Sequence, residues 1–310
     1  MRVVYMGTPD FAVKPLEALI ENGYEVVGVF TQPDKPVGRK AVLTPPAVKV
    51  IAQENNIKVF QPESLKNGEG VRILEELQPD VVIVVAYGKI LPKDFLEFAE
   101  YGCINIHGSI LPEYRGAAPI QWTVLNGEEF AGVTSMQMNE GLDTGDILIV
   151  EKTPVEENET SGDLYERLTV LGADVLLKTL TAIKEGTLNP KKQDDSKSSY
   201  AKMLDKSLSQ IDWNAQAQVV HNTIRGLDPW PVALTRFEGK NLKLFRSRLL
   251  SGEYNKPAGS VFINKEGICV VCGDKKAVLI TEVQLEGKKR MSASDFSRGA
   301  KLSDGVIFDS

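Results

Sequence analysis

Histidine is nearly missing from this chain. Two occur in 310 residues, so any chemistry that needs an imidazole falls on His107 or His221. Cysteine is almost as scarce, with three, which rules out a disulfide framework and suits a reducing compartment. Cys269 and Cys272 form one C-x-x-C with no second pair and no nearby histidine. Positions three apart on a strand face opposite sides, which argues against a metal site. The first β-like run ends in MGTPDF and not in G-x-G-x-x-G, so no run of glycines lets a pyrophosphate approach the backbone. No P-loop pattern occurs either. A nicotinamide dehydrogenase and an ATP-driven enzyme therefore both lack their usual site. No apolar run is long enough to span a membrane, and Met1 leads straight into the first strand, leaving no space for a signal or transit peptide. The expectation is a cytoplasmic protein with no metal, no nicotinamide and no membrane partner.

What is present alternates. RVVYMG, EVVGVF and VVIVVAYG are short, β-branched, continuous runs, as parallel strands covered on both faces require. Helical stretches lie between them at Phe11 to Asn22, Pro46 to Asn55 and Lys66 to Leu77. This is the pattern of an α/β fold, a doubly wound parallel sheet. After a helix from Gly162 to Glu185, the polar run LNPKKQDDSKSSYAKML has no apolar period and reads as a linker. Asn214 to Arg225 fits one amphipathic helix, followed by VALTRF, NLKLFRS, GSVFIN, GICVVC and AVLITEVQL between Gly, Asn and Pro turns. Such spacing predicts a small β-barrel of the oligonucleotide-binding kind. The expected division is residues 1–188, a linker at 189–206, and residues 207–310. Trp213 and Trp230 are expected to pack the barrel, and His221 to be structural.

The densest chemistry lies in CINIHGSILPEYRGAAPIQ and the later GLDTGDIL. Side chains two apart on a strand face the same way, so Asn105 and His107 point together. Gly108 and Pro112 then break the strand, which puts the pair at a strand's carboxyl end, where open α/β sheets bind ligands. VTSMQM reads as another strand, and NEGLDTGD carries Asp143 and Asp146 to the same edge. An amide donor, an imidazole and a carboxylate suit a tetrahedral intermediate: Asn105 and His107 donate to an oxyanion while Asp143 orients His107.

Charge divides unevenly along the chain. From Lys206 onward there are 16 Lys and Arg against 11 Asp and Glu, whereas the preceding residues hold 20 against 31. Lys240, Lys243, Arg246, Arg248, Lys288, Lys289 and Arg290 form the cationic set of the second half, a candidate surface for a phosphate backbone. In the first half, TQPDKPVGRKAVLTPPAV interrupts the sheet pattern with a long irregular loop that presents Arg39 and Lys40.

MGTPDFAV, TQPDKPVGR, LTPPAVKV, VVAYGKILP, CINIHGSILPEYRGAAPIQ, GLDTGDI, GLDPWPVA and EGKKRMSASDF together closely resemble the methionyl-tRNA formyltransferases, over nearly the whole chain. The His-Gly-Ser and Leu-Asp-Thr-Gly-Asp segments alone are shared with other 10-formyltetrahydrofolate enzymes. They indicate the chemistry and not the acceptor. The resemblance implies formyl transfer from 10-formyltetrahydrofolate to the methionine of initiator methionyl-tRNA by a monomer, with Asn105, His107 and Asp143 catalytic. It further implies folate against Ser109, Ile110, Leu111 and Pro112, with backbone from Val85 to Leu91 reading the pterin edge. On the tRNA side it implies Arg39 and Lys40, with Lys243, Arg246, Lys288, Lys289 and Arg290 as barrel candidates. The alternatives are a folate-dependent formyltransferase for a sugar-nucleotide or other small amine, a formyltetrahydrofolate hydrolase, and a non-catalytic RNA-binding protein.

Overall fold

A computed structural model describes residues 1–38 and 41–309; Arg39, Lys40 and Ser310 lie outside the described residues. The chain divides into two compact units. The first comprises residues 1–116, 132–153 and 165–200, and the second residues 117–131, 154–164 and 201–310.

The first unit is built on a seven-stranded sheet. From edge to edge its strands are Ile147–Pro154, Phe130–Gln137, Cys103–His107, Val81–Val85, Arg2–Gly7, Glu25–Phe30 and Val59–Phe60. The five from Cys103–His107 to Val59–Phe60 pair in parallel. Val81 to Val85 are buried without exception, as a strand covered on both faces demands. On one face Val4, Met6, Val82, Val84 and Cys103 pack with Leu74, Phe95 and Leu96 from the helices Glu69–Leu77 and Lys93–Leu96. At about 25 cal/mol per Å² of apolar surface removed from water, such clusters supply the main drive for folding.

The stretch expected as a linker is laced into this unit along its first part. Lys191 pairs with Ile147, and the Ser199 carbonyl and hydroxyl accept from the backbone N–H groups of Arg115 and Tyr114, at 2.9 and 2.8 Å. Apolar periodicity cannot reveal an extended segment held by polar side chains.

The second unit holds an antiparallel sheet in the order Ala233–Phe237, Lys240–Leu250, Ala277–Leu285, Ile268–Val271 and Val261–Ile263, with Met291–Ser292 beside Ala277–Leu285. Residues near the carboxyl terminus reach both sheet edges. Ile307 bridges Ser260 and Asp309 bridges Arg236, so the terminal segment covers part of both edges. The core beneath it gathers Trp213, Val220, Ile224, Leu244, Val270 and Val283. Trp213 donates its indole N–H to Thr235 Oγ1 at 3.0 Å. Trp230, expected in the same core, is 51% exposed. The buried carboxylate in its turn belongs to Asp228, whose carbonyl accepts from Ser161 Oγ and the Gly162 N–H. Cys269 and Cys272 are free, buried thiols, which burial pushes up to about 11 and about 12.

Candidate active site

Alternation along Cys103–His107 sends Ile104 and Ile106 to one face and Cys103, Asn105 and His107 to the other. Cys103 is sealed under the helix at Phe95, while Asn105 is only partly buried. His107 beyond it is 7% exposed, so the two polar side chains sit at the end of the strand with little open surface.

Asp143 reaches His107 by a route different from the expected one. Phe130–Gln137 runs antiparallel to Cys103–His107, pairing Gln137 with Ile104 and Thr134 with His107. Its carboxyl end therefore lies beside the amino end of Cys103–His107. The loop both leaves and returns there: the Met138 N–H donates to the Cys103 carbonyl and the Gln137 N–H to the Asp146 carbonyl. Asp146 thus stays at the far end from His107, and Asp143 alone doubles back over the sheet face. Gly145 permits the return, because a Cβ there would fall 1.6 Å from the Gln137 carbonyl oxygen. Asp143 itself sits at a positive φ of 51°, which side chains larger than glycine adopt only when held.

Three successive residues of the loop after the strand hold the site together. The Tyr114 carbonyl lies 2.9 Å from His107 Nε2, and since a carbonyl only accepts, Nε2 carries a proton. The Gly116 N–H donates to Asp143 Oδ2 at 2.8 Å. Between them, Arg115 donates through Nε and Nη2 to Gln193 Oε1 at 3.1 and 2.8 Å. His107 Nδ1 then faces Asp143 Oδ2 at 3.8 Å, with the two side chains only 8% and 13% exposed. This exceeds a hydrogen bond and is well within electrostatic reach. The Asn105 amide has no hydrogen bond among the described residues. An unpaired amide and a ring nitrogen, the latter balanced by a nearby carboxylate, can together donate to an oxygen that becomes anionic.

Comparison with known proteins bears on what reacts there. The family model for formyl transferases matches residues 1–180, and that for the formyl transferase C-terminal domain matches residues 203–301. The methionyl-tRNA formyltransferase of Clostridium novyi (strain NT) is 47% identical over 304 residues, covering 97% of this chain and 98% of the other. That of Bacillus subtilis (strain 168) is 45% identical over 307 residues, covering 99% and 97%. This chain belongs to the methionyl-tRNA formyltransferase family. Solved structures share its fold at lower identity. A sugar 3N-formyl transferase, WlaRD, superposes with a TM-score of 0.70 at 21% identity, over 93% of this chain and 99% of the other. An N-formyltransferase from Helicobacter canadensis gives 0.69 at 22%, over 90% and 98%.

In this formyltransferase the segment Ser109 to Leu111 is pinned by Thr134, whose hydroxyl donates to the Ser109 carbonyl at 2.7 Å and accepts from the Leu111 N–H at 3.1 Å. Ser109 Oγ is itself spent on the Glu113 carbonyl at 2.7 Å. Leu111 is buried, while Ile110 and Pro112 are partly so. The Tyr87 carbonyl, within the stretch expected to read the pterin edge, already accepts from Thr8 Oγ1 and Gln32 Nε2 at 3.1 Å each.

The formyltransferase's cations fall into two groups. Lys243, Lys288 and Lys289 are exposed. Arg246 is held by Asp163, and Arg290 is held by Glu282, lies 3.8 Å from Asp228 and stacks 3.9 Å from the Phe245 ring centre. Arg246 holds the Asp163 carboxyl down at about 2. Arg39 and Lys40 fall outside the described residues, but the flanking segments Lys35–Val37 and Val42–Thr44 pair as a hairpin with Val42 and Leu43 59% and 64% exposed. Its base is clamped: Lys49 Nζ donates to both Asp34 oxygens at 2.8 and 2.9 Å, and Gln61 Nε2 to Asp34 Oδ1 at 2.8 Å. Sequence reading did not find Gln193, Thr134 or this clamp, because none belongs to a periodic or motif pattern.

Proposed function

We propose that this enzyme transfers the formyl group of 10-formyltetrahydrofolate to the α-amino group of methionine on initiator methionyl-tRNA, as a cytoplasmic monomer supplying translation initiation. The observation that carries the reading is the approach of His107 Nδ1 to Asp143, with Asn105 on the same strand face, in a chain nearly half identical, end to end, to methionyl-tRNA formyltransferases.

The chemistry follows from which atoms are free. The amine attacks the formyl carbon, a C–N bond forms, and the carbonyl oxygen becomes an oxyanion. Asn105 Nδ2–H donates to that oxygen. His107 has its Nε2–H committed to Tyr114, so only Nδ1 can face the intermediate, and it can donate only as the imidazolium. Asp143 balances that charge from 3.8 Å. Collapse breaks the bond from carbon to N10, which takes up a proton as the former amine loses one, relayed through ordered water. No metal or nicotinamide takes part in this scheme. The segment Ser109 to Pro112 walls the folate, with Leu111 as its apolar contact.

Residues 1–188 carry this catalysis, with residues 189–200 laced onto them, and residues 207–310 hold the tRNA. Lys243, Lys288 and Lys289 are exposed cations suited to phosphates, with Arg39 and Lys40 of the first half as further candidates, while Arg246 and Arg290 are engaged in ion pairs. The deciding experiment is formyl transfer to purified initiator tRNA, charged or uncharged with methionine. Transfer confined to the charged form is expected. Folate turnover without transfer to the charged tRNA would remove the assigned acceptor.

A further inference from the structure

Gln193 occupies an unusual position for a side chain in a polar, unpatterned run. Its Nε2 donates to two carbonyls of the catalytic loop, Asp143 O at 2.8 Å and Gly145 O at 2.7 Å. Its Oε1 accepts twice from Arg115. Both ends of the amide are therefore spent, and swapping them would set the NH₂ against a guanidinium and the oxygen against two carbonyls. Arg115 is fixed in turn by Asp195 Oδ1 at 2.7 Å. The partners are not generic. Asp143 carries the carboxylate that faces His107, in a backbone conformation that needs holding. Arg115 lies between the residue that binds His107 Nε2 and the residue that binds Asp143 Oδ2.

We infer that Gln193 is a positioning residue for formyl transfer, fixing the Asp143 loop against the His107 loop so that the Asp143 carboxylate stands opposite Nδ1. The inference rests on the reading of Asp143 as catalytic. A hydrogen-bonded strut beyond the reacting groups acts by keeping them within a fraction of an ångström of productive geometry. Both Gln193 bonds end on backbone carbonyls of the Asp143 loop, so the loss is expected in the chemical step and not in binding.

The experiment is a mutant cycle on the full-length enzyme under single-turnover conditions with charged initiator tRNA and 10-formyltetrahydrofolate. Gln193→Ala is expected to slow formyl transfer roughly 10- to 100-fold, with KM for either substrate changed by less than about threefold. Gln193→Glu keeps the acceptor for Arg115 but turns an oxygen toward the two carbonyls, and is expected to be at least as slow as Gln193→Ala. In an Asp143→Asn background, Gln193→Ala should add less than about threefold, since its target is already impaired. Amide exchange at Gly116, whose N–H depends on Asp143 Oδ2, should quicken in Gln193→Ala while exchange along Val81–Val85 stays as in the parent. The inference falls if Gln193→Glu turns over within twofold of the parent, if the two substitutions multiply in full, or if Gly116 exchange is unchanged. Near-normal turnover by Asp143→Asn alone would overturn the catalytic reading instead. Exchange at Val81–Val85 quickening along with Gly116 would mark Gln193 as a general stabiliser and overturn the inference too.

Discussion

In the second unit the ring of His221 is satisfied on both nitrogens: Nε2 lies 3.0 Å from the Glu157 carbonyl and Nδ1 2.8 Å from Ser247 Oγ. In the first unit His107 has Nε2 on the Tyr114 carbonyl, and among the described residues Nδ1 has only a carboxylate at 3.8 Å. Both rings are buried, so burial does not separate them. The unfinished bonding does. A neutral imidazole with one donated and one accepted bond has nothing left to offer a substrate, whereas a ring nitrogen facing a carboxylate across a gap has an affinity still to be met. The same contrast separates the cations of the second unit, where Arg246 and the exposed Arg290 are engaged by carboxylates and Lys243, Lys288 and Lys289 have no ion pair among the described residues.

The largest effect should come from the open ring. His107→Ala is expected to reduce formyl transfer by about 10⁴-fold or more while tRNA binding stays near normal, because the proposed mechanism loses its imidazolium donor to the oxyanion. Asn105→Ala removes one donor and should cost about 10²- to 10³-fold. Turnover of 10-formyltetrahydrofolate with charged tRNA measures both. If His107→Ala retained more than a tenth of the parent rate, the contrast between the histidines would carry no catalytic meaning.

Effects an order of magnitude smaller should divide the cations. Arg39→Ala is expected to raise KM for tRNA roughly tenfold, the scale of one charged hydrogen bond to a phosphate. Replacing Lys243, Lys288 and Lys289 together by alanine should weaken tRNA binding and flatten the slope of log affinity against log salt by about 0.7–0.9 for each phosphate no longer neutralised. Arg246→Ala should leave that slope unchanged and lower the thermal midpoint instead, since it strips Asp163 of its partner. A salt slope that fell with Arg246→Ala and stayed with the lysine triple would invert the assignment.

Sequence made some of this legible and hid the rest for physical reasons. Period-two alternation put Asn105 and His107 on one face, because strand geometry leaves no choice. The β-branched runs marked the parallel strands, since burial on both faces restricts composition. The path of Asp143 was not legible: parallel and antiparallel neighbours present similar apolar patterns, and strand direction decides which end a loop leaves from. Gln193 was hidden because a polar residue that bonds two loops far from it in sequence looks like a solvated one. Arg246 and Arg290 read as free cations for the same reason, their partners Asp163 and Glu282 being set by cross-strand register and by the placing of residues 154–164 in the second unit.

His221 is where the comparison is most sensitive, because its substitution should leave catalysis alone. His221→Ala abandons the Glu157 carbonyl and the Ser247 hydroxyl in a site with no exposure, and should cost about 2–3 kcal/mol in urea unfolding with kcat unchanged. Its pH dependence adds an independent sign. Burial, with the nearby Arg225 charge, lowers the His221 pKa from its ordinary value of 6.5, against weaker opposing contributions from Glu157. Below that ordinary value the unfolded chain binds a proton that the folded chain refuses, so this group's share of stability is whole above about pH 6.5 and declines as pH falls, levelling only below the lowered folded value. The parent should therefore lose stability between pH 6.5 and 5 more steeply than His221→Ala. Parallel curves would mean that the folded ring accepts the proton, and that His221 is not closed in the way its two hydrogen bonds indicate.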